Sequence, residues 1–175
     1  LWRAIRPLCD QRGAENPLRV LDVGSGGGDI SVGLWKRAQR AGRSIQVGGC
    51  DISPKALRMA TERAEGAGAE ADYLSKDVLN EDLPDEWDVM YCSLLLNHFD
   101  EQQGVRLLSN MGRSAREMVL VNDLIRSRLG YTLCWCGVRL LTRSPIVHVD
   151  GPLSVRAGFQ PREVLAMADR AGLTG

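Results

Sequence analysis

The chain has 175 residues, of which 44% are hydrophobic, and this length and composition favour a single domain with one sizeable core. Its 22 basic and 22 acidic side chains cancel, which leaves no broad charged field for a nucleic acid or an anionic membrane. Since no stretch matches a signal peptide or an apolar membrane span, we expect a cytoplasmic protein without nucleic-acid partners.

The first predicted elements are a helix and a strand. Trp2, Ile5 and Leu8 recur at helical intervals that Pro7 interrupts, so this helix either forms a lid over a site or covers a sheet face. An apolar strand over 19–23 follows and runs directly into a turn that reads Gly-Ser-Gly-Gly-Gly-Asp. Such a run of glycines lets the backbone approach a ligand closely, so we expect a small molecule here.

The spacing of this glycine turn excludes two common phosphate sites. A P-loop requires Lys and then Ser or Thr after its last glycine, whereas Asp29, Ile30 and Ser31 follow here. The dinucleotide pattern requires a third glycine at the position of Asp29. That carboxylate would lie at the N-terminus of the next helix and repel a diphosphate. The turn therefore favours a ligand without a pyrophosphate.

Two further acidic residues are predicted at strand ends. After the helix that follows the turn, a strand over 45–50 leads to Asp51. Ser53 caps the next helix, which we expect to end near Gly66, and the third strand then leads to Asp77. Both acids also have simple structural interpretations, since Asp51 could cap a helix and Asp77 could be a turn residue.

The remaining elements continue this alternation. A strand over 87–92 precedes a loop over 93–99, Asp100 with Gln103 predicts a capping box, and a fifth strand covers 118–121. The order predicts an α/β fold, a Rossmann-like, doubly wound, mainly parallel sheet with helices on both faces. We expect one domain over the whole chain.

The last third of the chain is less regular. Residues 124–149 mix apolar and aromatic side chains with spaced arginines, which indicates a helical lid or substrate-binding insertion, a helix packed on the sheet, or a surface for lipid or a partner. Beyond it, Gln160, Pro161 and Glu163 predict the start of a final helix that ends at Gly172.

The pattern Asp-x-Gly-x-Gly-x-Gly at 22–28, with acids after the second and third strands, resembles the class I S-adenosylmethionine-dependent methyltransferases. The resemblance implies that the glycine turn contacts the methionine half of S-adenosylmethionine, that Asp51 binds the ribose and that Asp77 lies near the adenine amino group. S-adenosylhomocysteine would be the product. The implied cofactor-binding residues are Asp22, Gly24, Ser25, Gly26, Gly28, Asp51, Ile52, Asp77, Val78 and Ser93.

The resemblance also bears on what the sequence lacks. An antiparallel pair of strands normally follows the last helix in this family, so we expect these strands to be absent from the chain and the sequence to be incomplete at both ends. With only two histidines, no metal is expected. The oligomeric state is left open.

Three residues are candidates for acid–base catalysis. His98, in the loop after the fourth strand, could be the general base for a hydroxyl acceptor, or a loop residue bonded to backbone. His148 could reach over the pocket from the inserted segment, or stabilise a turn beside Asp150. Asp123 could bind the acceptor or support another residue, or cap a helix.

The predicted function is methyl transfer from S-adenosylmethionine to a small molecule. The sequences over 121–124 and 150–155 are similar to a bacterial subgroup that modifies hydroxylated polyketide or phenolic products, so a hydroxyl is the expected acceptor. Two alternatives stay open. One is a nicotinamide-dependent oxidoreductase, which Asp29 disfavours, and the other is a methyltransferase-like binding subunit without catalysis.

Overall fold

The computed structural model describes residues 1–13, 15–142 and 144–173, with the backbone alone described at 128, 140, 141, 145–147 and 150. Five strands alternate with helices along the chain. In order they are α1 (Trp2–Asp10), β1 (Leu18–Val23), α2 (Asp29–Arg40), β2 (Ile45–Asp51), α3 (Pro54–Ala67), β3 (Ala71–Ser75), β4 (Val89–Ser93), a short 3₁₀ helix (Leu96–His98), α4 (Glu101–Ser114), β5 (Met118–Asn122), α5 (Arg128–Leu141), α6 (Pro145–Ala157) and α7 (Pro161–Arg170).

The strands form a single sheet in the order β3-β2-β1-β4-β5. Every strand pairing among the described residues is parallel, which confirms the predicted doubly wound α/β fold. The chain leaves β1 towards β2 on one side and later returns to place β4 on the other. This reversal of strand order creates a crevice at the carboxyl ends of β1 and β4, where open α/β sheets bind ligands.

The two faces of the sheet carry separate apolar cores because side chains alternate along each strand. On one face Leu18 and Val20 of β1 pack with Ile5 of α1. On the other, Leu21 and Val23 pack with residues of α4 and α7. The N-terminal helix is therefore a cover for the sheet, which decides between the two interpretations of that segment.

Several predicted boundaries differ from the structure, among them the end of α7, which is Arg170 rather than Gly172. Helix α1 continues through Pro7, since the carbonyl that the proline leaves unbonded belongs to the exposed Arg3 and is open to water. Helix α3 ends at Ala67 rather than near Gly66, because the next residue, Gly68, adopts the left-handed conformation (φ 70°) that closes a helix. Strand β4 starts at Val89 rather than Trp87, and the carboxylate of the preceding Asp88 accepts from the backbone nitrogen of Arg19.

The segment predicted as an insertion over 124–149 forms a pair of packed helices that reaches further, to Ala157. Helix α6 runs through the sequence Asp-Gly-Pro, which is typical of a turn. Gly151 allows this, because a Cβ there would lie 3.2 Å from the sulfur of Cys134 and 3.1 Å from Val138 on α5. No helix in the described ranges is both long and apolar enough to cross a bilayer.

Candidate functional site

The glycine turn connects β1 to α2 at the centre of the carboxyl edge. Gly24, Gly26 and Gly28 all have left-handed backbone angles, with φ of 75°, 51° and 69°. The backbone nitrogens of Gly24 and Ser25 donate to the carbonyl of Cys50 at 2.8 and 2.9 Å, which ties the turn to the end of β2. The loop conformation is therefore fixed by backbone bonds as well as by sequence.

Two glycines of the turn have different surroundings. At Gly28 a Cβ would lie 2.8 Å from both the Cβ of Ala60 and the hydroxyl of Tyr73, so no side chain fits where α2 begins. At Gly26 an added Cβ would meet nothing within 4 Å. Backbone at Gly26 thus borders open space at the crevice, as a cradle for a closely approaching ligand requires.

Asp51 stands at the end of β2 and links two loops. Its Oδ2 accepts from the backbone nitrogen of Gly26 at 2.9 Å, and its Oδ1 accepts from that of Ser53 at 2.8 Å. Because each carboxylate oxygen has more than one acceptor site, these bonds leave capacity for ligand hydroxyls. The side chain is only partly buried. The same carboxylate can thus order the glycine turn and hold a ligand.

Asp77 follows β3 and is fixed within its own turn. Its Oδ2 accepts from the side-chain nitrogen of Asn80 at 2.8 Å and its Oδ1 from the backbone nitrogen of Leu79 at 3.0 Å. The bond from Asn80 and then that from Leu79 lower the pKa of this carboxyl from its ordinary value. Asp77 is therefore held as a carboxylate. Its bonds to Leu79 and Asn80 are those of a turn residue, which was the simpler interpretation of this position.

These acids share a cavity of about 300 Å³ at the carboxyl edge. We call it the nucleoside pocket, and its lining residues are Gly24, Asp51, Ile52, Lys76, Asp77, Val78, Leu79, Leu95 and Phe99. Five of the ten predicted cofactor residues are among them. The sequence predictions did not include Lys76, Leu79, Leu95 and Phe99. Leu95 and Phe99 come from the loop after β4. The only local signal for them in the sequence is an uninterrupted run of three leucines over 94–96.

The loop after β4 begins with a strained residue. Leu94 is the one described residue other than glycine with a positive φ, at 54°. The left-handed region is costly for such a side chain and is found chiefly where surrounding structure enforces it, often at functional sites. Here the turn brings the side chain of Leu95 against Gly24, where an added Cβ would lie 2.8 Å from the leucine methyl groups.

Asp22 is the most perturbed acid of the site. It lies in β1 opposite Tyr91 of β4, and only 2% of its surface is exposed. Burial raises the pKa of Asp22 to about 7, the Tyr91 hydroxyl partly opposes the rise, and Asp29 and Asp51 add to it. Among the described residues the Tyr91 hydroxyl has no partner in regular hydrogen-bond geometry. A cation near Asp22 would favour its ionised form.

The other predicted cofactor residues lie outside the lining of the nucleoside pocket. Gly26 and Gly28 belong to the turn described above. The hydroxyl of Ser25 is buried and has no hydrogen-bond partner among the described residues. Ser93 is buried at the end of β4 and accepts from the side-chain nitrogen of Asn122 at 2.7 Å. Ser93 therefore connects two strand ends.

The three catalytic candidates do not meet in one cavity. Asp123 accepts from the backbone nitrogens of Leu96 and Leu124, both at 2.7 Å, and ties the end of β5 to the 3₁₀ helix. His98 is exposed and lines a separate cavity of about 340 Å³ against α6. His148 lies on α6, where its Nε2 bonds the backbone carbonyl of Thr142 at 2.8 Å. Asp123 thus bonds the 3₁₀ helix that carries His98, and the catalytic role of each residue stays a prediction.

Asn97 is a feature that the sequence prediction missed as a candidate. It lies beside His98 in the same cavity and is 9% exposed. Its side-chain oxygen is buried without a hydrogen-bond partner among the described residues. A buried acceptor of this kind is uncommon and requires an explanation such as a bound ligand. Over the described ranges, no three His, Cys, Asp or Glu side chains are grouped so as to hold a metal.

Known proteins share both sequence and fold with this chain. A methyltransferase domain family matches residues 20–117, more than half of the chain. The ubiquinone biosynthesis O-methyltransferase of Bordetella parapertussis (strain 12822) is 30% identical over 178 residues, which cover 97% of this chain and 70% of that protein.

Solved structures agree on the fold. The apo S-adenosylmethionine-dependent methyltransferase SibL matches with a TM-score of 0.69 at 21% identity, over 97% of this chain but only 48% of its own. Magnesium protoporphyrin IX methyltransferase from Synechocystis PCC 6803 with bound S-adenosylhomocysteine matches with a TM-score of 0.65 at 18% identity, over 98% of this chain and 72% of its own. This chain thus spans about half the length of SibL.

The glycine turn, the acids at the ends of β2 and β3, and the domain match identify the same family that the sequence pattern predicted. The position of the nucleoside pocket at the strand-order reversal fits that assignment. The chain belongs to the class I S-adenosylmethionine-dependent methyltransferases.

Proposed function

We propose that this chain binds S-adenosylmethionine in the nucleoside pocket and transfers its methyl group to a hydroxyl of a small phenolic or polyketide-like molecule. The observation that carries the proposal is the link between Asp51 and Gly26, which joins the predicted ribose acid to the glycine turn at one edge of the pocket. The O-methyltransferase name of the Bordetella relative supports an oxygen acceptor.

The residues of the site suit the chemistry of this cofactor. Asp51 would hold the ribose hydroxyls, Asp77 would lie near the adenine amino group, and backbone at Gly26 would leave room for the methionine half. The buried Asp22 supplies a negative charge when ionised, which a sulfonium and an ammonium group favour. The bound cofactor supplies an activated methyl group, so the protein contributes alignment and exclusion of water.

The acceptor hydroxyl must lose its proton as its oxygen gains the methyl group. His98 is our candidate for the general base that accepts this proton, because its exposed imidazole lines a cavity with Asn97 beside helix α6. Asp123 would act by position, since its carboxylate holds the start of the 3₁₀ helix that carries both residues. His148 keeps the weakest support because its ring is bonded to the carbonyl of Thr142.

The ribose assignment is tested by a thermodynamic cycle. Asp51→Asn keeps the size of the side chain and removes its charge, and the exposed Asp72 on β3 provides a matched control in Asp72→Asn. Binding of S-adenosylhomocysteine and of an analogue without the ribose hydroxyls is measured by calorimetry. We expect Asp51→Asn to weaken binding of S-adenosylhomocysteine about 10- to 100-fold and binding of the analogue only slightly. An equal loss for both would mean that Asp51 acts only on the glycine turn.

Catalysis is tested separately, by release of S-adenosylhomocysteine with a panel of hydroxylated aromatic acceptors. Turnover that requires the acceptor supports the proposal. Binding of the cofactor without turnover on any acceptor would favour the non-catalytic binding subunit. Tight binding of a reduced nicotinamide dinucleotide, with no response to S-adenosylmethionine, would favour the oxidoreductase instead.

A further inference from the structure

A second, larger cavity opens between the start of α5 and the end of α6. It has a volume of about 980 Å³, and its lining includes Arg126, Ser127, Tyr131, Val155, Arg156 and Gln160. We call it the arginine cavity. No aspartate or glutamate is among the described residues that line it. Its two guanidinium groups and its phenol differ in chemistry from the nucleoside pocket, where carboxylates provide the charge.

One of the two arginines of the arginine cavity has no counter-ion among the described residues. Arg126 forms an ion pair with Glu163 of α7, with 2.6 Å between the guanidinium nitrogen and the carboxylate oxygen. Arg156 is exposed at the end of α6 and has no ion pair within the described part of the chain. A guanidinium is always charged and matches the two oxygens of a carboxylate. An anionic ligand would therefore be favoured here.

Adjacent residues of the chain link the arginine cavity to the nucleoside pocket. Leu95 lines the nucleoside pocket, and the next residue, Leu96, lines an intermediate cavity of about 440 Å³ together with Asp123 and Ile125. The residue after Ile125 is Arg126 of the arginine cavity. The three cavities are thus linked by residues that are adjacent in the chain, in the segments that follow β4 and β5.

The remaining lining suits a ring. Val155 is buried and Tyr131 is half-buried, so together they offer an apolar surface beside the guanidinium of Arg156. Ser127 uses its hydroxyl to accept from the backbone nitrogen of Gly130 at 2.9 Å, which fixes the start of α5. An aromatic ring that carries a carboxylate would contact both kinds of surface at once.

We propose that the methyl acceptor carries an anionic group, a carboxylate on an aromatic compound, and that Arg156 binds this group in the arginine cavity. The inference rests on the proposed function, since it concerns the acceptor of that reaction. It narrows the acceptor from hydroxylated aromatic compounds in general to hydroxylated aromatic acids. Arg156 would be a specificity residue that acts on binding more than on the methyl-transfer step.

The test uses dihydroxybenzoate as probe and dihydroxybenzamide as its neutral counterpart of nearly equal shape. Binding of each is measured by calorimetry, and turnover by release of S-adenosylhomocysteine. Three variants are compared, Arg156→Gln without the charge, Arg156→Lys with it, and Arg139→Gln as control. Arg139 is an exposed arginine on α5 whose guanidinium stacks on Trp135 and does not line the cavity.

We expect the unmodified chain to bind the acid about tenfold more tightly than the amide, through a charge-assisted contact. Arg156→Gln should abolish this preference by raising KM for the acid, with kcat and amide binding unchanged. Arg156→Lys should keep part of the preference, and Arg139→Gln all of it. Equal binding of acid and amide by the unmodified chain would overturn the proposal, as would an equal loss in Arg139→Gln.

The calorimetric arm separates this proposal from the proposed function. If the acid binds through Arg156 but no S-adenosylhomocysteine is released, the arginine cavity stands and methyl transfer to such acids fails. If the amide is bound and methylated with the same efficiency as the acid, the proposed methyl transfer is supported and the proposed role of Arg156 is refuted.

Discussion

Replacing Asp22 by asparagine should change how the stability of this protein depends on pH. The side chain is 2% exposed, and burial raises its pKa from 3.8 to about 7. Because a tenfold change in an acid dissociation constant corresponds to about 1.4 kcal/mol, ionising this carboxyl in the folded state costs about 4 kcal/mol in total. Asparagine has nearly the same shape and carries no charge, so it avoids this cost.

The direction in which stability changes with pH follows from the raised pKa of Asp22. Below the pKa of the unfolded chain, near 4, both states hold the proton and the stabilising contribution of neutral Asp22 is fully present. As the pH rises through about 7, the folded state also ionises and the contribution is lost. Integrated between about pH 5 and pH 8, the loss is about 2.5 kcal/mol. Asp22→Asn should gain that much relative to the unmodified chain over this interval.

Urea unfolding followed by circular dichroism, at several pH values without ligand, measures the effect. Differences between the two proteins remove the contribution of all other titrating groups, as long as these do not contact Asp22. Asp72→Asn, at an exposed position of β3, should show no pH-dependent difference. A constant difference between Asp22→Asn and the unmodified chain from about pH 5 to pH 8 would refute the assignment of a raised pKa.

Two further predictions concern cofactor binding. The affinity for S-adenosylmethionine should rise by up to about tenfold per pH unit as the pH approaches 7 in the unmodified chain, because a cationic ligand favours ionised Asp22, and calorimetry should find this slope missing in Asp22→Asn. Gly26→Ala should weaken cofactor binding at least tenfold, since φ is 51° there and the new methyl group enters the open cradle. Its control, Gly33→Ala in the exposed interior of α2, should leave binding unchanged and stabilise the chain by about 1 kcal/mol. Unaltered affinity in Gly26→Ala, or a pH slope that persists in Asp22→Asn, would contradict the site as described.

The parts of the fold that sequence predicts well are those decided within a few residues. The capping box of Asp100 and Gln103 forms as predicted, and so does that of Gln160 and Glu163. The glycine turn belongs to the same class, since its conformation follows from missing side chains at fixed positions. Asp51 lies at the end of β2 as expected, because a parallel sheet brings the carboxyl ends of its strands to one edge, while its contact with the ribose stays a prediction.

The features that sequence could not predict depend on contacts between distant segments. Helix α6 passes through a turn-like Asp-Gly-Pro because Gly151 packs against α5, and that neighbour is invisible in the local sequence. Leu95 lines the nucleoside pocket directly after Leu94, whose left-handed angle the local sequence did not predict. The contact of His98 with α6 in one cavity, and the bond of His148 to the carbonyl of Thr142, likewise depend on how α6 packs and could not be predicted from the local sequence.

Two carboxylates at the carboxyl edge do the same structural work on different strands. Asp51 at the end of β2 accepts from the backbone nitrogen of Gly26 in the glycine turn, and Asp123 after β5 accepts from backbone nitrogens of the 3₁₀ helix. Each bond orders a loop before a ligand arrives, so less conformational entropy is lost on binding. This explains why a single substitution at either acid cannot by itself separate ligand contact from loop order. The cycle with the ribose-lacking analogue does so for Asp51, because only a direct contact makes the loss depend on the ligand's own hydroxyls.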